Sequence, residues 1–364
     1  MSRSAGLLLG TEATAIARRS STHNNAIYRL SQIEWCPAMP YRLVQITTCP
    51  LPAALLGATM AITSASGLEL HGHRGARGLV AENTLASFQE AIRHGVDCIE
   101  FDVAMSRDGH IVIHHDRALN PDIARDGGGW IATPRLLKDL TLAEIKAFDI
   151  SRIRPGTRYA TKYPKQHQID AATVPTLEEM LAMPELIAKR DICLNIEIKT
   201  SPEAPGETFP PETIAFHLVK VLEAGGFRKR ARIQSFDWRA LLPLVKRAPD
   251  IPLSFLTAEQ SWLDNVKRDA KTPSPWLAGV DLKRFEGSLP RAIKHLGGAI
   301  WAPYHRDIGP DDVTAAHAAG LKVIVWTVNE PGDMQRAMRI GVDGIITDYP
   351  DVGAREIRAW RSSK

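Results

Sequence analysis

Short apolar runs alternate with longer amphipathic stretches from Leu68 almost to the end of the chain. The runs are short and rich in β-branched residues, so each predicts a buried strand. The stretches between them place apolar residues three and four positions apart, which is typical of helices that pack one face on a sheet. The strand-like runs are LELHGH, DCIEFDVA, HIVIHHD, DICLNIEI, RARIQS, PLSFLT, AIWAPY and KVIVWT.

Helices are predicted between most of these runs, over residues 84–94, 211–224, 238–247, 311–319 and 331–340. Asn83 or Thr84 can cap the first of them, and glycines follow several of the predicted helix ends. Strands that alternate with helices of this length form parallel βαβ units. Eight such strands predict an α/β fold of the (β/α)8 TIM barrel type rather than a doubly wound sheet.

Residues 120–172 interrupt this alternation directly after the third strand-like run. The segment is rich in Gly, Arg, Lys and aromatic residues, with one plausible helix over 141–148. Long loops of barrels usually carry function, because the sites lie at the C-terminal ends of the strands. We therefore predict an insertion after the third strand that lies over the barrel mouth. The chain divides into an N-terminal extension, 1–67, and one barrel domain, 68–356.

Residues 39–67 contain one arginine, a weakly apolar run and then small residues, which is the order of a secretory signal. The run is too short to span a bilayer, so we expect no stable membrane span. We predict a periplasmic or secreted protein. The alternative is a cytoplasmic protein, because Pro52 and several threonines make a weak apolar core for a signal.

The formal net charge of +4 lies mostly in residues 1–67, which contain five arginines and two glutamates. A nearly neutral barrel lacks the clustered basic face that nucleic acid requires, so no nucleic-acid partner is expected. The four cysteines include no C-x-x-C pair, which argues against a zinc ribbon or a thioredoxin-like site. We expect Cys98 and Cys193 to be small core residues without a disulfide. The oligomeric state is left open.

Carboxylates alternate with apolar residues along two predicted strands. Glu100 and Asp102 share one face of CIEFDVA, and Glu197 shares one face of LNIEIKT with Lys199. Because helices cover the outside of a barrel, the apolar side chains face them and the carboxylates point inward. Buried carboxylates need a compensating cation, either a neighbouring Arg or Lys or a metal ion. Three carboxylates favour Mg²⁺ or Ca²⁺ over zinc.

Histidines end two of the predicted strands, His71 and His73 the first and His114 and His115 the third. Histidines on either side of a metal-bound anion could act as general base and general acid for displacement at phosphorus. Arg74 could bind phosphate oxygens with its fork of donors. Two other interpretations remain, namely hydrogen-bonded core histidines and zinc ligands. Zinc is the weaker of these, because the surroundings are rich in carboxylates.

The run HRGARGLVAENTLASFQEAIRHGVDCIEFDVAMSRDGHIVIHHD resembles the opening of the glycerophosphodiester phosphodiesterase family. Members of that family open with HRG, a Pro-Glu-Asn-Thr element, an E-x-D strand and a His-Asp pair. Later segments match in the family's order, namely VPTLEEML, LNIEIK, IQSFD, VIVWTVN and GVDGIITDYP. One departure is visible, since AENT replaces PENT and loses a rigid turn residue but no chemical group.

The resemblance implies which residues form the site. It implies that His73 and His115 are the catalytic pair, since His115 is the histidine directly before Asp116. The metal ligands that it implies, for one divalent cation, Ca²⁺ or Mg²⁺, are Glu100, Asp102 and Glu197. The substrate-binding residues that it implies are Arg74, Glu82, Lys199 and, on the glycerol side of the pocket, Trp326.

The activity that the resemblance implies is metal-dependent hydrolysis of a small-molecule glycerophosphodiester to sn-glycerol 3-phosphate and an alcohol. Two histidines would act as general acid and base. One alternative is activity of the phospholipase D or sphingomyelinase D type on lyso- or intact phospholipids, with residues 120–172 around a lipid-sized slot. A second alternative is a catalytically vestigial barrel that acts as a binding protein. The head group stays open, as does the choice between Ca²⁺ and Mg²⁺.

Overall fold

The structure is a computed structural model, and it describes residues 67–363. The predicted extension, 1–67, and its signal-like segment, 39–67, therefore lie outside the described residues except for Gly67. Within the described part of the chain, no helix combines the length and the apolar character needed to cross a membrane.

Eight parallel strands form a closed barrel, which confirms the predicted (β/α)8 TIM barrel. In chain order the barrel strands are β1 (Glu69–His73), β2 (Cys98–Met105), β3 (Cys193–Ile198), β4 (Ala231–Ser235), β5 (Leu253–Thr257), β6 (Ile300–Pro303), β7 (Lys322–Val325) and β8 (Gly344–Thr347). Each strand pairs in parallel with the next one. The barrel closes where β8 pairs with β1, with Thr347 beside Gly72.

Helices follow most of the barrel strands. They are α1 (Leu85–Arg93), α2 (Leu142–Lys146), α3 (Arg158–Lys162), α4 (Leu177–Leu181), α5 (Pro184–Ala188), α6 (Pro211–Ala224), α7 (Leu242–Arg247), α8 (Leu289–His295), α9 (Pro310–Ala318), α10 (Pro331–Ile340) and α11 (Pro350–Ser362). The apolar side chains of β2 and β3, such as Phe101 and Ile196, are fully buried in one core with Phe88 of α1 and Leu218 of α6. The opposite face of each strand is thereby left for the barrel interior.

The prediction that HIVIHHD forms a barrel strand is wrong. Ile111–Ile113 pairs antiparallel with β2, so it forms a hairpin at the barrel rim instead of a barrel strand. Only residues 106–110 separate it from β2, which is too short a link for the crossover that a parallel strand needs. The eighth barrel position is taken by β8, whose four residues carry a weak apolar signal. The insertion thus follows the third strand of the chain but lies between barrel strands β2 and β3.

A second apolar cluster joins the insertion to β2, because Ile131, Leu137, Ile145 and Phe148 are buried together with Ala104 and Val112. Short strands at Ala118–Leu119 and Arg135–Leu136 pair with each other. The segment DGGGW forms a tight hairpin in which Arg125–Asp126 pairs with Gly129–Trp130. A second small hairpin lies after β5 and consists of Glu259–Gln260 and Leu263–Asp264.

A disulfide joins Cys98 and Cys193, so the expectation that neither cysteine takes part in a disulfide is wrong. The two residues are direct neighbours on β2 and β3, with Cα atoms 4.4 Å apart. This pairing depends on the register of strands that are 95 residues apart in the sequence, which the sequence pattern does not give. The disulfide links the two strands that carry all three carboxylates of the predicted metal site.

Candidate active site

The segment HGHRGARG forms a tight loop between β1 and α1. Arg74 has a φ of 50°, a left-handed conformation that is uncommon for residues other than glycine. Its backbone N–H donates a hydrogen bond to Glu100 Oε2 at 3.0 Å. At Gly75 a Cβ atom would lie 2.5 Å from Ser87 Oγ, so only glycine allows the loop to approach α1 this closely. The constrained loop holds the side chains of His73 and Arg74 at the C-terminal end of the barrel.

Glu100, Asp102 and Glu197 meet inside the C-terminal end of the barrel, as the alternation predicts. Asp102 lies directly beside Glu197 on the neighbouring strand. One oxygen atom of each carboxylate lies within 4.8 Å of an oxygen of the other two, and all three residues are buried. The three side chains form what we call the acidic cluster.

The acidic cluster carries more negative charge than its surroundings neutralise. Burial and the charges of Asp102 and Glu197 raise the pKa of Glu100 well above its usual value. Burial also raises the pKa of Glu197 to about 7, although Lys199 acts to lower it. Asp102 behaves differently, because nearby His115, Arg74 and Lys199 outweigh its burial and hold its pKa far below the usual value.

One atom of the cluster is available to a ligand. Among the described residues, Asp102 Oδ1 is buried without a hydrogen-bond partner, and its nearest cation is Lys199 Nζ at 3.6 Å. An all-oxygen set of three carboxylates suits a hard divalent cation, which would also offset the repulsion between them. The residues present therefore fit a Mg²⁺ or Ca²⁺ ion.

Two cationic side chains border the acidic cluster. Lys199 Nζ donates a hydrogen bond to Glu197 Oε1 at 2.6 Å. Arg74 Nη1 donates to Glu82 Oε1 at 2.7 Å, and Arg74 Nε lies 3.4 Å from Asp102 Oδ2. Glu82 thus holds the guanidinium group in place, and Arg74 Nε has no hydrogen-bond partner within residues 67–363. Both cations are in reach of an anion that binds at the cluster.

His73 lies at the end of β1 with a carboxylate on each side of its ring. Its Nδ1 is 2.6 Å from Asp348 Oδ1, and its Nε2 is 3.8 Å from Glu100 Oε2. Burial, together with the charge of Arg77, lowers the pKa of His73 to about 4 in spite of Asp348. The imidazole is therefore neutral at neutral pH.

His115 occupies a more open position, with about 30% of its side chain exposed. Its Nδ1 is 2.6 Å from Asp116 Oδ1. Burial and the charges of Arg74 and Lys199 lower the pKa of His115 to about 3. His115, rather than His114, lines the cavity described below, because the His114 ring turns away and its Nδ1 lies 3.0 Å from the Asp116 carbonyl oxygen.

A cavity of about 770 Å³ opens above the acidic cluster. The predicted site residues that line it are His73, Arg74, His115, Glu197, Lys199 and Trp326. The other three, Glu82, Glu100 and Asp102, are buried and contact these lining residues. The insertion contributes to the wall, with Pro121, Pro134, Leu136 and Lys162.

Aromatic rings also line the cavity. Trp326 packs edge to face on Phe236, with ring centroids 5.1 Å apart, and against Tyr304 at 5.5 Å. Its indole N–H donates to the Ala302 carbonyl oxygen at 2.8 Å, which holds the ring in place. Trp262, at the tip of the small hairpin after β5, extends this aromatic lining outward and is 59% exposed. An exposed tryptophan at a cavity rim is a natural contact for an apolar part of a substrate.

Several further side chains support the site, and the sequence placed only Asp116 beside a site residue, in the His-Asp pair. Asn83 Nδ2 donates to Asp102 Oδ2 at 3.0 Å, and Gln234 Nε2 donates to Glu100 Oε1 at 2.9 Å. Asp116 and Asp348 lie within hydrogen-bond distance of the Nδ1 atoms of His115 and His73, respectively. All four lie within the quoted motifs, at or just after strand ends or in the first loop, and that position is the signal that could have found Asn83, Gln234 and Asp348.

The whole barrel matches known proteins. Residues 73–352 match the model of the glycerophosphoryl diester phosphodiesterase family. The chain belongs to this family. A glycerophosphodiester phosphodiesterase of Caldanaerobacter subterraneus is 32% identical over 279 residues, which cover 77% of this chain and 93% of that relative. A glycerophosphodiester phosphodiesterase of Bacillus subtilis is 30% identical and covers 77% of this chain, with 83% of its own length matched.

Solved structures agree with the fold of this family member. A protein of Silicibacter pomeroyi superposes with a TM-score of 0.71 at 33% identity, over 82% of this chain and 95% of that one. A phosphodiesterase of Oleispira antarctica, solved in complex with the product sn-glycerol-3-phosphate, superposes with a TM-score of 0.56 at 25% identity. That match covers 80% of this chain and 96% of the Oleispira chain.

Proposed function

We propose that this chain hydrolyses glycerophosphodiesters to sn-glycerol 3-phosphate and an alcohol. The observation that carries the proposal is that two neutral histidines, each backed by a carboxylate, share one cavity with the acidic cluster. Membership of the glycerophosphoryl diester phosphodiesterase family supports it. The related Oleispira phosphodiesterase holds sn-glycerol-3-phosphate as its product.

One divalent cation, Mg²⁺ or Ca²⁺, would be held by Glu100, Asp102 and Glu197. When bound, the ion would offset negative charge on the phosphodiester and on the transition state. Arg74 and Lys199 would then be released in part from their carboxylate partners and would donate hydrogen bonds to phosphate oxygens. Glu82 would keep the Arg74 guanidinium oriented during this exchange.

The two histidines would move the protons. The Nε2 atom of one histidine accepts the proton of the attacking oxygen, which is the neighbouring glycerol hydroxyl or a water. The other histidine protonates the departing alcohol, and the bound phosphate favours its protonated form because a nearby anion raises the pKa of an imidazole. If the glycerol hydroxyl attacks, water opens the resulting cyclic phosphate with the two roles exchanged.

The proposal is tested by measuring the release of glycerol 3-phosphate from glycerophosphocholine and glycerophosphoethanolamine. His73→Ala and His115→Ala should each lower kcat by about 10³-fold, as is usual when a general acid or base is removed. His110→Ala, which changes an exposed histidine on the hairpin after β2, serves as the control and should keep wild-type activity. Wild-type turnover in both variants of the catalytic pair would refute the proposal.

A specific observation favours lysophospholipids as a second class of substrate. The cavity volume of about 770 Å³ leaves room beyond a small diester, and apolar residues of the insertion line the cavity together with the exposed Trp262. An acyl chain would bury this surface favourably. Release of choline from lysophosphatidylcholine by the wild type, reduced in Trp262→Ala while turnover of glycerophosphocholine persists, would establish this activity. Absence of choline release would exclude it.

Export of the protein is a further part of the proposal. Disulfides persist in oxidising compartments, and the disulfide between Cys98 and Cys193 supports such a location. The order of residues in 39–67 points the same way. Cell fractionation combined with mass measurement of the mature N-terminus and with thiol labelling tests it. Full-length protein with free thiols in the cytoplasmic fraction would contradict export.

A further inference from the structure

The carboxylate of Asp348, just after β8, is fully buried and surrounded by hydrogen-bond donors. Arg77 donates from Nε to Oδ1 at 2.8 Å and from Nη2 to Oδ2 at 3.0 Å. Asn329 Nδ2 donates to Oδ2 at 2.7 Å, and the hydroxyl of Tyr163 lies 3.4 Å from the same oxygen. His73 Nδ1 completes the set at 2.6 Å from Oδ1. A buried acceptor with this many donors is firmly held in one orientation.

The geometry determines which nitrogen of His73 carries the proton. A carboxylate accepts hydrogen bonds and does not donate them, so a contact of 2.6 Å is attractive only if Nδ1 bears a hydrogen. Arg77 Nη2 lies 3.1 Å from the same nitrogen, and both groups also bind Asp348. If Nδ1 instead accepted from Arg77, its lone pair would face a carboxylate oxygen at close range. Nε2 therefore has the free lone pair.

We propose that Asp348 is a positioning residue that holds His73 in the Nδ1–H tautomer and turns its Nε2 toward the acidic cluster. A catalytic imidazole needs both its tautomer and its orientation to be set by the partner of its second nitrogen. The inference rests on the proposed function for its effect on turnover. The state of the His73 ring can be measured without any substrate.

The backbone around Asp348 is anchored as firmly as its side chain. The Asp348 N–H donates to Asn329 Oδ1 at 2.9 Å. Its carbonyl oxygen accepts from the Gly78 N–H at 2.8 Å, which ties the loop after β8 to the loop after β1. Tyr163 brings in the insertion, because its ring lies 4.7 Å from the Arg77 guanidinium. The loops after β1, β7 and β8 and the insertion thus converge on His73.

The other histidine has a simpler support. His115 and Asp116 are adjacent in sequence, both side chains are partly exposed, and Asn120 Nδ2 donates to Asp116 Oδ2 at 2.9 Å. Because Asp348 is buried and Asp116 is partly exposed, we expect substitutions to be tolerated less at Asp348 than at Asp116. Replacing Asp348 disturbs a group that no water can replace, whereas water can reach the partner of His115.

Asp348→Asn is the direct test. Arg77 donates to both oxygens of Asp348, His73 contacts only Oδ1, and Asn329 and Tyr163 contact only Oδ2. An amide therefore places its NH₂ group either against His73 or against Asn329 and Tyr163. With the amide oxygen on the side of Asn329 and Tyr163, the NH₂ group faces Nδ1 of His73 and moves the ring proton to Nε2. We expect kcat to fall by about 10³-fold or more with little change in KM, as for other imidazoles held in the wrong tautomer. In ¹⁵N NMR spectra, Nε2 of His73 should change from a pyridine-like to a pyrrole-like shift.

The matched control is Glu69→Gln, which neutralises another carboxylate bound to a histidine and an arginine, His71 and Arg232, at the opposite end of β1. It should leave kcat and the His73 shifts unchanged. If Asp348→Asn does not fold, Asn329→Ala decides the matter. This change removes one donor to the carboxylate and the acceptor of the Asp348 N–H but keeps the charge, so kcat should fall by about fivefold at unchanged KM.

Wild-type kcat, or unchanged ring shifts, in folded Asp348→Asn would overturn the inference, as would wild-type kcat in Asn329→Ala. A merely structural role would lower stability in both variants while the His73 spectrum and kcat stay as in the wild type. If the wild type itself releases no glycerol 3-phosphate, the proposed function fails. The ring shifts of His73 then still confirm or refute the role of Asp348.

Discussion

The two ends of the barrel interior carry the same kinds of side chain, but only one end satisfies them. At the N-terminal end, Glu69 accepts hydrogen bonds from Arg232 at 3.1 Å and Lys322 at 2.9 Å, and it contacts His71 at 3.1 Å. Each of its oxygens has at least one cationic donor. The charged side chains at this end neutralise one another, so their role is structural.

The C-terminal end leaves its charges in excess. The acidic cluster places three carboxylates beside Arg74 and Lys199, and Arg74 is shared with Glu82. Within the described part of the chain, Arg74 Nε and Asp102 Oδ1 are buried and lack hydrogen-bond partners. Fully satisfied groups stabilise a fold, while unsatisfied ones persist mainly where a ligand completes them.

The types of residue alone do not separate the two ends. Glu69, His71 and Cys98 also bring possible metal-ligating atoms within 4.8 Å of one another. There, however, the carboxylate is occupied by two cations and the sulfur by a disulfide. The free ligand atoms, and the cavity above them, therefore distinguish the C-terminal end from the N-terminal end.

The largest difference between the ends should come from Glu100→Gln. We expect turnover to fall by about 10³-fold or more, because a ligand of the proposed divalent cation is lost. The melting temperature in EDTA should stay the same or rise, since the pKa of Glu100 is raised and its charged form is therefore disfavoured by the fold. Thermal melting and steady-state kinetics check this. Retained activity, or a large drop in melting temperature, would break the comparison.

The next effect concerns the disulfide below the acidic cluster. Replacing both cysteines, Cys98→Ser with Cys193→Ser, should lower the free energy of unfolding by about 3 kcal/mol, because a cross-link that closes a long loop restrains the unfolded chain. The activity of the folded protein should remain near that of the wild type. Urea unfolding measures the change. An unchanged unfolding midpoint would show that the cross-link contributes nothing.

A somewhat smaller loss of stability is expected from Glu69→Gln. It leaves Arg232 and Lys322 without their carboxylate, which should cost about 2 kcal/mol for this partly buried group. Turnover should stay within about twofold of the wild type, as the change lies far from the cavity. Urea unfolding and kinetics test both statements. A loss of activity as large as that of Glu100→Gln would show that the charged residues at the N-terminal end are part of the site.

The smallest effect is on the pH dependence of stability. Burial acts to raise the pKa of Glu69, but His71 and Arg232 outweigh it and hold the pKa far below the usual value. The carboxylate therefore stabilises the fold above about pH 4.5, and this contribution is lost as the pH falls further. Between pH 6 and about pH 3, the free energy of unfolding should fall less steeply with decreasing pH in Glu69→Gln than in the wild type. Equal slopes would contradict the shift.

The sequence predicts the barrel and the acidic cluster because both depend on local patterns. Alternation along two strands is enough to direct Glu100, Asp102 and Glu197 inward. The strand at Ile111–Ile113 misleads, because a short apolar run looks the same in a hairpin and in a barrel. β8 was missed because its GIIT run is short and begins with glycine.

Contacts between residues far apart in the chain cannot be predicted from such local patterns. Asp348 reaches His73 across 275 residues, and only closure of the barrel through the pairing of β8 with β1 brings them together. The link between Cys98 and Cys193 likewise needs the register of β2 and β3. Asp116 is the exception, because it directly follows its histidine and the His-Asp motif already contains the pair.

The central claim is that the acidic cluster makes the C-terminal end a metal-dependent phosphodiesterase site. The most direct test is the release of glycerol 3-phosphate from glycerophosphocholine by protein stripped with EDTA, before and after addition of Mg²⁺ or Ca²⁺. We predict no turnover in the stripped protein, recovery with one of the two ions, and no recovery in Glu100→Gln. Full activity of the stripped protein, or recovery in Glu100→Gln equal to that of the wild type, would contradict the account.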